Sequence, residues 1–216
     1  MAEFDEKTIK NILDLLEELY PEAQCALEHE DHFQLLVATV LSAQTTDKSV
    51  NKVTGKLFRE FGDPFLLAMA NPEDVAQIIK TLGLYKTKSK NLVALSQVLV
   101  KDYNGEVPCS YDDLVLLPGV GRKTANVVLS VAFNQDRIAV DTHVFRVANR
   151  IGLASGKTPL DVEEGLMKAI PKNRWSRTHH SLIFHGRSIC DARKPQCEIC
   201  PIQNYCHHFN LNSGRK

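Results

Sequence analysis

The sequence predicts an all-α fold of about ten helices joined by short loops. Three observations carry that reading. Apolar residues recur at steps of three and four along most of the 216-residue chain. No segment sustains the apolar–polar alternation of a half-buried strand. Prolines, glycines and short polar residues punctuate the apolar stripes at helix-length intervals. A content of 44% hydrophobic and 24% charged residues excludes a disordered or collagen-like chain. There is no internal repeat and no low-complexity stretch.

Taken in order, Ile9, Ile12, Leu13, Leu16 and Leu19 form the first stripe, ended by Pro21. Phe33 to Leu41 is apolar nearly all round, the pattern of a buried helix. Val50, Val53, Leu57, Phe58 and Phe61 follow, stopped by Gly62. Asn71-Pro72 opens a helix carrying Val75, Ile78 and Ile79, with Gly83 ending it. Leu92, Leu95, Val98 and Leu99 mark the next, up to Asn104-Gly105. Ser110 with Asp113 looks like a capping box for a short helix to Leu116. Arg122 then opens a helix whose Val127, Val128, Leu129, Val131 and Ala132 face a core. Stripes at Val144–Val147–Ile151, Val162–Leu166–Ile170 and Leu182–Ile183–Ile189 complete the series.

The most apolar run, Leu35 to Leu41, is seven residues, against the roughly 18 a membrane helix requires. The first twenty residues hold six acids and no apolar block behind a basic start, unlike a signal peptide. A soluble, intracellular, cytoplasmic protein without membrane attachment is expected.

The 26 basic and 26 acidic residues cancel, but unevenly. Residues 1–31 hold ten acids against Lys7 and Lys10, a net of −8, so the remainder carries +8. Lys168, Lys172, Arg174, Arg177, Arg187, Arg193 and Lys194 stand against Asp191 alone. Such a stripe reads either as a solvated face or as the footprint of a polyanion.

Cys25 and Cys109 are isolated and expected to be small buried hydrophobes. Cys190, Cys197, Cys200 and Cys206 instead fall in a C-x6-C-x2-C-x5-C pattern. With no export signal, four clustered thiols read as a metal site rather than two disulfides. The spacing leaves tetrahedral zinc and a four-iron cluster open, and His207 and His208 keep a mixed-ligand zinc site in play.

One junction is more specific. In Leu117-Pro118-Gly119-Val120-Gly121, proline ends a helix and two glycines permit a φ-positive turn with bare amides. A helix N-terminus behind such a turn is either a plain corner or a seat for phosphate. Lys123, in the first turn of the apolar helix, faces the positive dipole end and an expected apolar neighbourhood, both of which favour the neutral amine of a Schiff-base nucleophile. An exposed lysine reaching for phosphate is the alternative. Asp141 is well placed to cap the helix from Val144 to Ile151, and a capping carboxylate can still turn one oxygen to a cleft.

Leu117 to Ala125, then Val140-Asp141-Thr142-His143, then the four-cysteine tail together resemble the endonuclease III family of helix–hairpin–helix DNA glycosylases. Leu41 to Asp47 and Gly83-Leu84-Tyr85 look like two further family segments, so the likeness runs from about residue 30 to 206. The resemblance implies a two-lobed helix–hairpin–helix glycosylase fold. One lobe would span residues 23–134, with the hairpin at about 107–134. The other would join residues 1–22 and 135–216, closed by a [4Fe-4S] cluster on Cys190, Cys197, Cys200 and Cys206. Double-stranded DNA with damaged pyrimidines or abasic sites would lie across the groove between lobes, bound by a monomer, nucleoid-associated if bacterial.

In the family, the lysine matching Lys123 attacks C1′ and expels the base, and β-elimination from the Schiff base nicks the strand 3′ to the abasic site. The aspartate matching Asp141 assists. Gln44 and Leu84 match the side chains inserted when the nucleotide is flipped out, although core packing is the ordinary role of a leucine after a helix-ending glycine. Gly119, Val120 and Gly121 would seat a phosphate, with Arg122, His143, Arg193 and Lys194 as further DNA contacts. An adenine-mismatch glycosylase of the same fold is the near rival. It has an acid at the place of Thr39, lacks lysine at that of Lys123, and carries an extra C-terminal domain where this chain stops ten residues after Cys206. A non-catalytic, zinc-stabilised DNA-binding module is the rival from another class.

Overall fold

The computed structural model describes residues 4–213, and among them the chain is helical with no strand. In chain order the helices are α1 (Glu6–Leu19), α2 (His32–Leu41), α3 (Asp47–Glu60), α4 (Pro64–Ala68), α5 (Pro72–Ile78) and α6 (Tyr85–Tyr103). They continue as α7 (Tyr111–Leu116), α8 (Arg122–Ala132), α9 (Thr142–Ile151), α10 (Pro159–Ala169), α11 (Trp175–Ser188) and α12 (His207–Ser213). The chain folds as two compact units, Ala26–Gln135 and Met1–Cys25 with Asp136–Lys216.

In the Ala26–Gln135 unit the loops set the helix starts. Asp31, Thr46, Asp63 and Asn71 each accept a backbone N–H from the first turn of α2, α3, α4 and α5, and Pro64 and Pro72 open the last two. From Phe33 to Leu41 every residue of α2 is buried, and α2 packs against α3, α6 and α8. Burial of Leu35, Leu36, Leu41, Leu57, Leu92, Leu95 and Leu99 anchors this core, each side chain contributing about 1.5–3 kcal/mol. Helix α4 is absent from the periodicity reading because five residues are too few to show a stripe. The anticipated capping box at Ser110 is half formed. Ser110 Oγ accepts from Asp113 N–H at 3.4 Å, but Asp113 takes the Tyr103 hydroxyl at 3.2 Å. The reciprocal box occurs instead at Thr158 and Asp161, opening α10.

In the other unit, α9 packs against α10, α11 and α12, and α1 against α11. Ile12, Leu13, Leu16, Val144, Val147, Ile151, Leu166, Leu182 and Ile202 form its core. The fold also consumes part of the basic stripe. Arg174 donates to Glu17 at 2.9 Å and Asp14 at 2.8 Å, and Arg177 donates to the carbonyls of Ala23, Tyr20 and Pro21. The polyanion reading therefore loses these two and keeps exposed Lys168, Lys172, Arg187, Arg193 and Lys194. The two isolated cysteines also depart from expectation. Cys109 is exposed and Cys25 half-buried, because both lie in connecting segments rather than on an apolar helix face.

Candidate nucleic-acid interface and metal centre

The hairpin between α7 and α8 is built by one glycine. Gly119 has φ +81°, and a Cβ there would meet Asn91 Nδ2 at 3.0 Å and Val40 Cγ1 at 3.3 Å. Gly121 differs: its φ of −100° and ψ of 178° suit any residue, and nothing lies within 4 Å of an added Cβ. Of the two glycines expected to make the turn, only Gly119 uses the left-handed region. Gly121 keeps the approach to the helix end open.

The Val120 amide is spent inside the turn, donating to Leu117 O at 3.0 Å, so the expected three-amide seat loses its middle member. Among the described residues the N–H groups of Gly119, Gly121, Lys123 and Thr124 have no hydrogen-bond partner. Unsatisfied amides at the positive end of an eleven-residue helix form a cradle for an anion. Arg122 is exposed, with its guanidinium 5.8 Å from the Tyr111 ring centroid. Lys123 is exposed as well. It stands just before the buried stretch of α8, which begins at Thr124.

Gln44 and Leu84 share a feature that the sequence does not announce. Both are non-glycine residues in the left-handed region, with φ of 54° and 57°. Gln44 is exposed in the turn after α2, and Leu84 is 60% exposed immediately before α6. Core packing for Leu84 is thereby excluded.

In the other unit, Asp141 caps α9. Its Oδ1 accepts the N–H groups of His143 and Val144, both at 2.8 Å, leaving Oδ2 without a partner among the described residues. His143 is half-buried with Nδ1 3.2 Å from Arg146 Nη2, and burial lowers its pKa, with Asp141 opposing and Arg146 assisting. A neutral imidazole is the form favoured there.

Cys190, Cys197, Cys200 and Cys206 all border one partly open cavity. The cavity wall is held by residues that the cysteine spacing does not reveal. Arg150 donates to Asp191 O at 2.6 Å, to Ala192 O at 2.8 Å and to Cys190 Sγ at 3.4 Å. Arg146 donates to Gly186 O at 2.9 Å and Cys190 O at 3.1 Å. His185, 1% exposed, sets Nε2 3.6 Å from Cys200 Sγ and Nδ1 3.0 Å from the Tyr20 hydroxyl. Arg146 and Arg150 stand four apart on α9, a signal available in the sequence. The role of His185 has none beyond its place five residues before Cys190.

The donor set fits a tetrathiolate metal group, since all four cysteines border one cavity. His207 packs its ring on Phe4 at 4.6 Å, as a packing residue does. Burial pushes the Cys200 thiol up to about 11 and raises Cys197 and Cys206. A bound cation is what would make buried thiolates the stable form. Arg193 and Lys194 are exposed on the loop between the first two cysteines, and their N–H groups donate to Asp191 Oδ1 at 2.9 and 3.0 Å.

A helix–hairpin–helix with a free amide cradle, together with a four-thiol segment, defines a class. The HhH-GPD superfamily of base excision DNA repair proteins matches residues 37–172, and the iron–sulfur binding domain of endonuclease III matches residues 190–206. Endonuclease III of Bacillus subtilis (strain 168) is 49% identical over 201 residues, 93% of this chain and 92% of that protein. Endonuclease III of Escherichia coli (strain K12) is 47% identical over 197 residues, 91% and 93% of the two. A trapped endonuclease III–DNA covalent intermediate matches with a TM-score of 0.92 at 46% identity, covering 97% of this chain and 99% of that one. A thermostable thymine-DNA glycosylase matches at 0.85 with 25% identity, covering 95% and 98%. The chain belongs to the endonuclease III family, and a [4Fe-4S] cluster is its cofactor.

Proposed function

We propose that this chain removes oxidised or ring-damaged pyrimidines from double-stranded DNA and then cleaves the abasic site, with Lys123 as nucleophile. As a member of the endonuclease III family it is a bifunctional base-excision repair enzyme, a DNA glycosylase and abasic-site lyase. The observation that carries the residue assignment is Lys123 itself: an exposed amine in the first turn of α8, directly behind the unpartnered amides of Gly119 and Gly121. Those amides hold a backbone phosphate, with Arg122 beside them, and the amine is presented to the neighbouring sugar. Lys123 Nζ attacks C1′, and the glycosidic bond breaks with its electron pair leaving on the base. Opening of the sugar gives the protonated Schiff base. Loss of a C2′ proton then expels the 3′ phosphate and nicks the strand.

Asp141 supplies Oδ2, the oxygen its capping role leaves free, to steady positive charge developing on the sugar. Gln44 and Leu84 are the inserting pair, one polar for the orphaned base and one apolar for the stack, and their exposure supports this. His143 is a DNA contact beside Asp141. Cys190, Cys197, Cys200 and Cys206 hold the [4Fe-4S] cluster, which when bound supplies a structural cross-link in this unit. Arg193 and Lys194, on the loop it closes, meet phosphates. The two folded units correspond to the two lobes of the family. We infer that the protein acts as a monomer in the cytoplasm. No helix of the described residues is long and apolar enough to cross a membrane, and six cysteines outside any disulfide suit a reducing compartment.

Borohydride trapping on an abasic duplex tests the nucleophile. The parent protein forms a covalent adduct and Lys123→Ala does not, while Asp141→Asn still traps but releases base slowly. Undiminished nicking by Lys123→Ala would move the nucleophile elsewhere.

A further inference from the structure

The Ala26–Gln135 unit holds a buried cation that neither the hairpin nor the proposed chemistry uses. Lys88, in the first turns of α6, is 5% exposed. Its one side-chain hydrogen bond runs from Nζ to Thr45 Oγ1 at 2.9 Å, across 43 residues of sequence. It forms no salt bridge among the described residues, and burial holds its pKa below the usual lysine value. An ammonium kept out of water for a single neutral hydroxyl is an expensive arrangement for a residue that normally lies on the surface.

Its two ends explain the placement. The backbone N–H of Lys88 donates to Leu84 O at 2.9 Å, fixing the residue that enters α6 with φ +57°. The hydroxyl that receives its side chain straddles Gln44: Thr45 Oγ1 donates to Ala43 O at 3.3 Å, and Thr45 N–H donates to Ser42 O at 3.0 Å. Gln44 is the φ +54° residue inside that turn. A left-handed conformation is strained for a non-glycine residue and persists only where its surroundings over-determine it. Lys88 touches the supports of both strained residues, one through its main chain and one through its side chain.

We propose that Lys88 is a positioning residue that locks the Gln44 turn to the Leu84 turn, so that the two exposed side chains enter a duplex as one rigid pair. The proposal rests on the reading of Gln44 and Leu84 as the inserting residues. Lys88 itself need not touch DNA. Its hydrogen bond holds Thr45, Thr45 holds the turn, and the turn fixes where Gln44 points relative to Leu84. The pair is then ordered before DNA arrives, and little entropy remains to be lost as it enters the stack.

The test uses the full-length, cluster-loaded protein with Lys88→Met, Lys88→Arg and the half-exposed Thr45→Val, which removes the acceptor without touching the core. Opening is read by the fluorescence of 2-aminopurine placed opposite the lesion, and base release by single-turnover kinetics on a thymine-glycol duplex. Nicking of an abasic site in a single strand needs no opening and serves as the internal control. Lys88→Met and Thr45→Val should each slow opening and base release about tenfold, the scale of one lost charge-assisted hydrogen bond. The double variant should be no slower than either single one. Lys88→Arg should restore part of the rate, and single-strand nicking should stay unchanged in all. Amide exchange at Thr45 in the free protein reads the lock without DNA and should accelerate in Lys88→Met. Folded variants with unaltered exchange and unaltered opening overturn the lock. Faster exchange with unaltered opening overturns instead the assignment of Gln44 and Leu84 as inserting residues, and additive losses show that Lys88 and Thr45 act separately.

Discussion

The two units hold their functional residues by opposite means. In Ala26–Gln135 the residues proposed to meet DNA are exposed, and the backbone places them: positive φ at Gln44, Leu84 and Gly119, and a helix end at Lys123. In the unit bearing the cysteines, long side chains do the placing. Arg146, Arg150 and His185 reach across 15 to 44 residues of sequence to hold the thiol segment. The first arrangement presents groups to a partner, and the second encloses one. Damage should follow the same division. A change in the presenting unit removes activity from an intact fold, whereas a change in the enclosing unit removes order first.

The largest expected contrast is between Lys123→Ala and Cys200→Ser. Lys123 is exposed, so its loss should leave the thermal midpoint nearly unchanged, within about 0.5 kcal/mol. Lyase turnover should fall by about 10³-fold or more, as expected for a removed nucleophile. Cys200 is buried against His185, and its replacement should cost more than about 4 kcal/mol through loss of the metal group. Calorimetry beside abasic-site nicking measures both. A destabilised Lys123→Ala, or a Cys200→Ser protein with parent stability and full iron content, would break the division.

Acid sharpens the contrast from the enclosing side. Burial, with His179 and Arg177 nearby, pushes His180 down to about 3 from an ordinary value of 6.5. Between those values the folded chain binds fewer protons than the unfolded one. The stability that neutral His180 provides is complete above pH 6.5 and falls as pH drops toward 3. The slope should approach about 1.4 kcal/mol per pH unit below pH 5.5, and His180→Gln should flatten it. Urea midpoints from pH 7 to 4 test this, and parallel curves for parent and variant would remove His180 from the account.

The same division decides what was legible in the sequence. Ten helices were readable because an apolar stripe or a cap is a local property; α4 is too short to show a stripe, and the mostly polar α12 carries none. The four cysteines and the Pro-Gly-Val-Gly junction were legible as motifs, because spacing along the chain is itself the chemistry. Lys123 is legible from its place in the first turn of α8, although it stands exposed just before the buried stretch that begins at Thr124. The strain at Gln44 and Leu84 and the links through Lys88 and His185 left no trace. Each depends on which distant segments meet, and pairwise periodicity carries no such information.

A smaller effect is expected at the cluster-side loop. Arg193 and Lys194 are exposed, and their loop is shaped by Asp191 and Arg150 as well as by the cysteines. The loop should therefore keep its form when both cations are removed. Arg193→Ala with Lys194→Ala should flatten the slope of log affinity against log salt by up to about 1.8, at roughly 0.9 for each phosphate contact. Iron content and helicity should remain those of the parent. An unchanged slope in an iron-replete double variant would take the loop out of the DNA interface.

The smallest effect, and the one that isolates backbone from side chain, lies within the hairpin. Gly119 and Gly121 are two residues apart and look equivalent in the sequence, yet only Gly119 needs to be glycine for the fold. An alanine at 119 meets both a positive φ and the Asn91 side chain at about the limit of contact, and should destabilise by about 1–2 kcal/mol. An alanine at 121 enters ordinary extended backbone and open space, and by restricting the unfolded chain should stabilise by about 0.4–1 kcal/mol. The open space beside Gly121 is where the phosphate is proposed to sit, so the methyl group that stabilises the protein should also hold the anion away from the amides. Gly121→Ala should therefore raise the urea midpoint while weakening binding to an abasic-analogue duplex severalfold. A more stable variant with undiminished affinity would mean that the phosphate is held without the Gly121 amide, by Gly119, Lys123 and Thr124 alone.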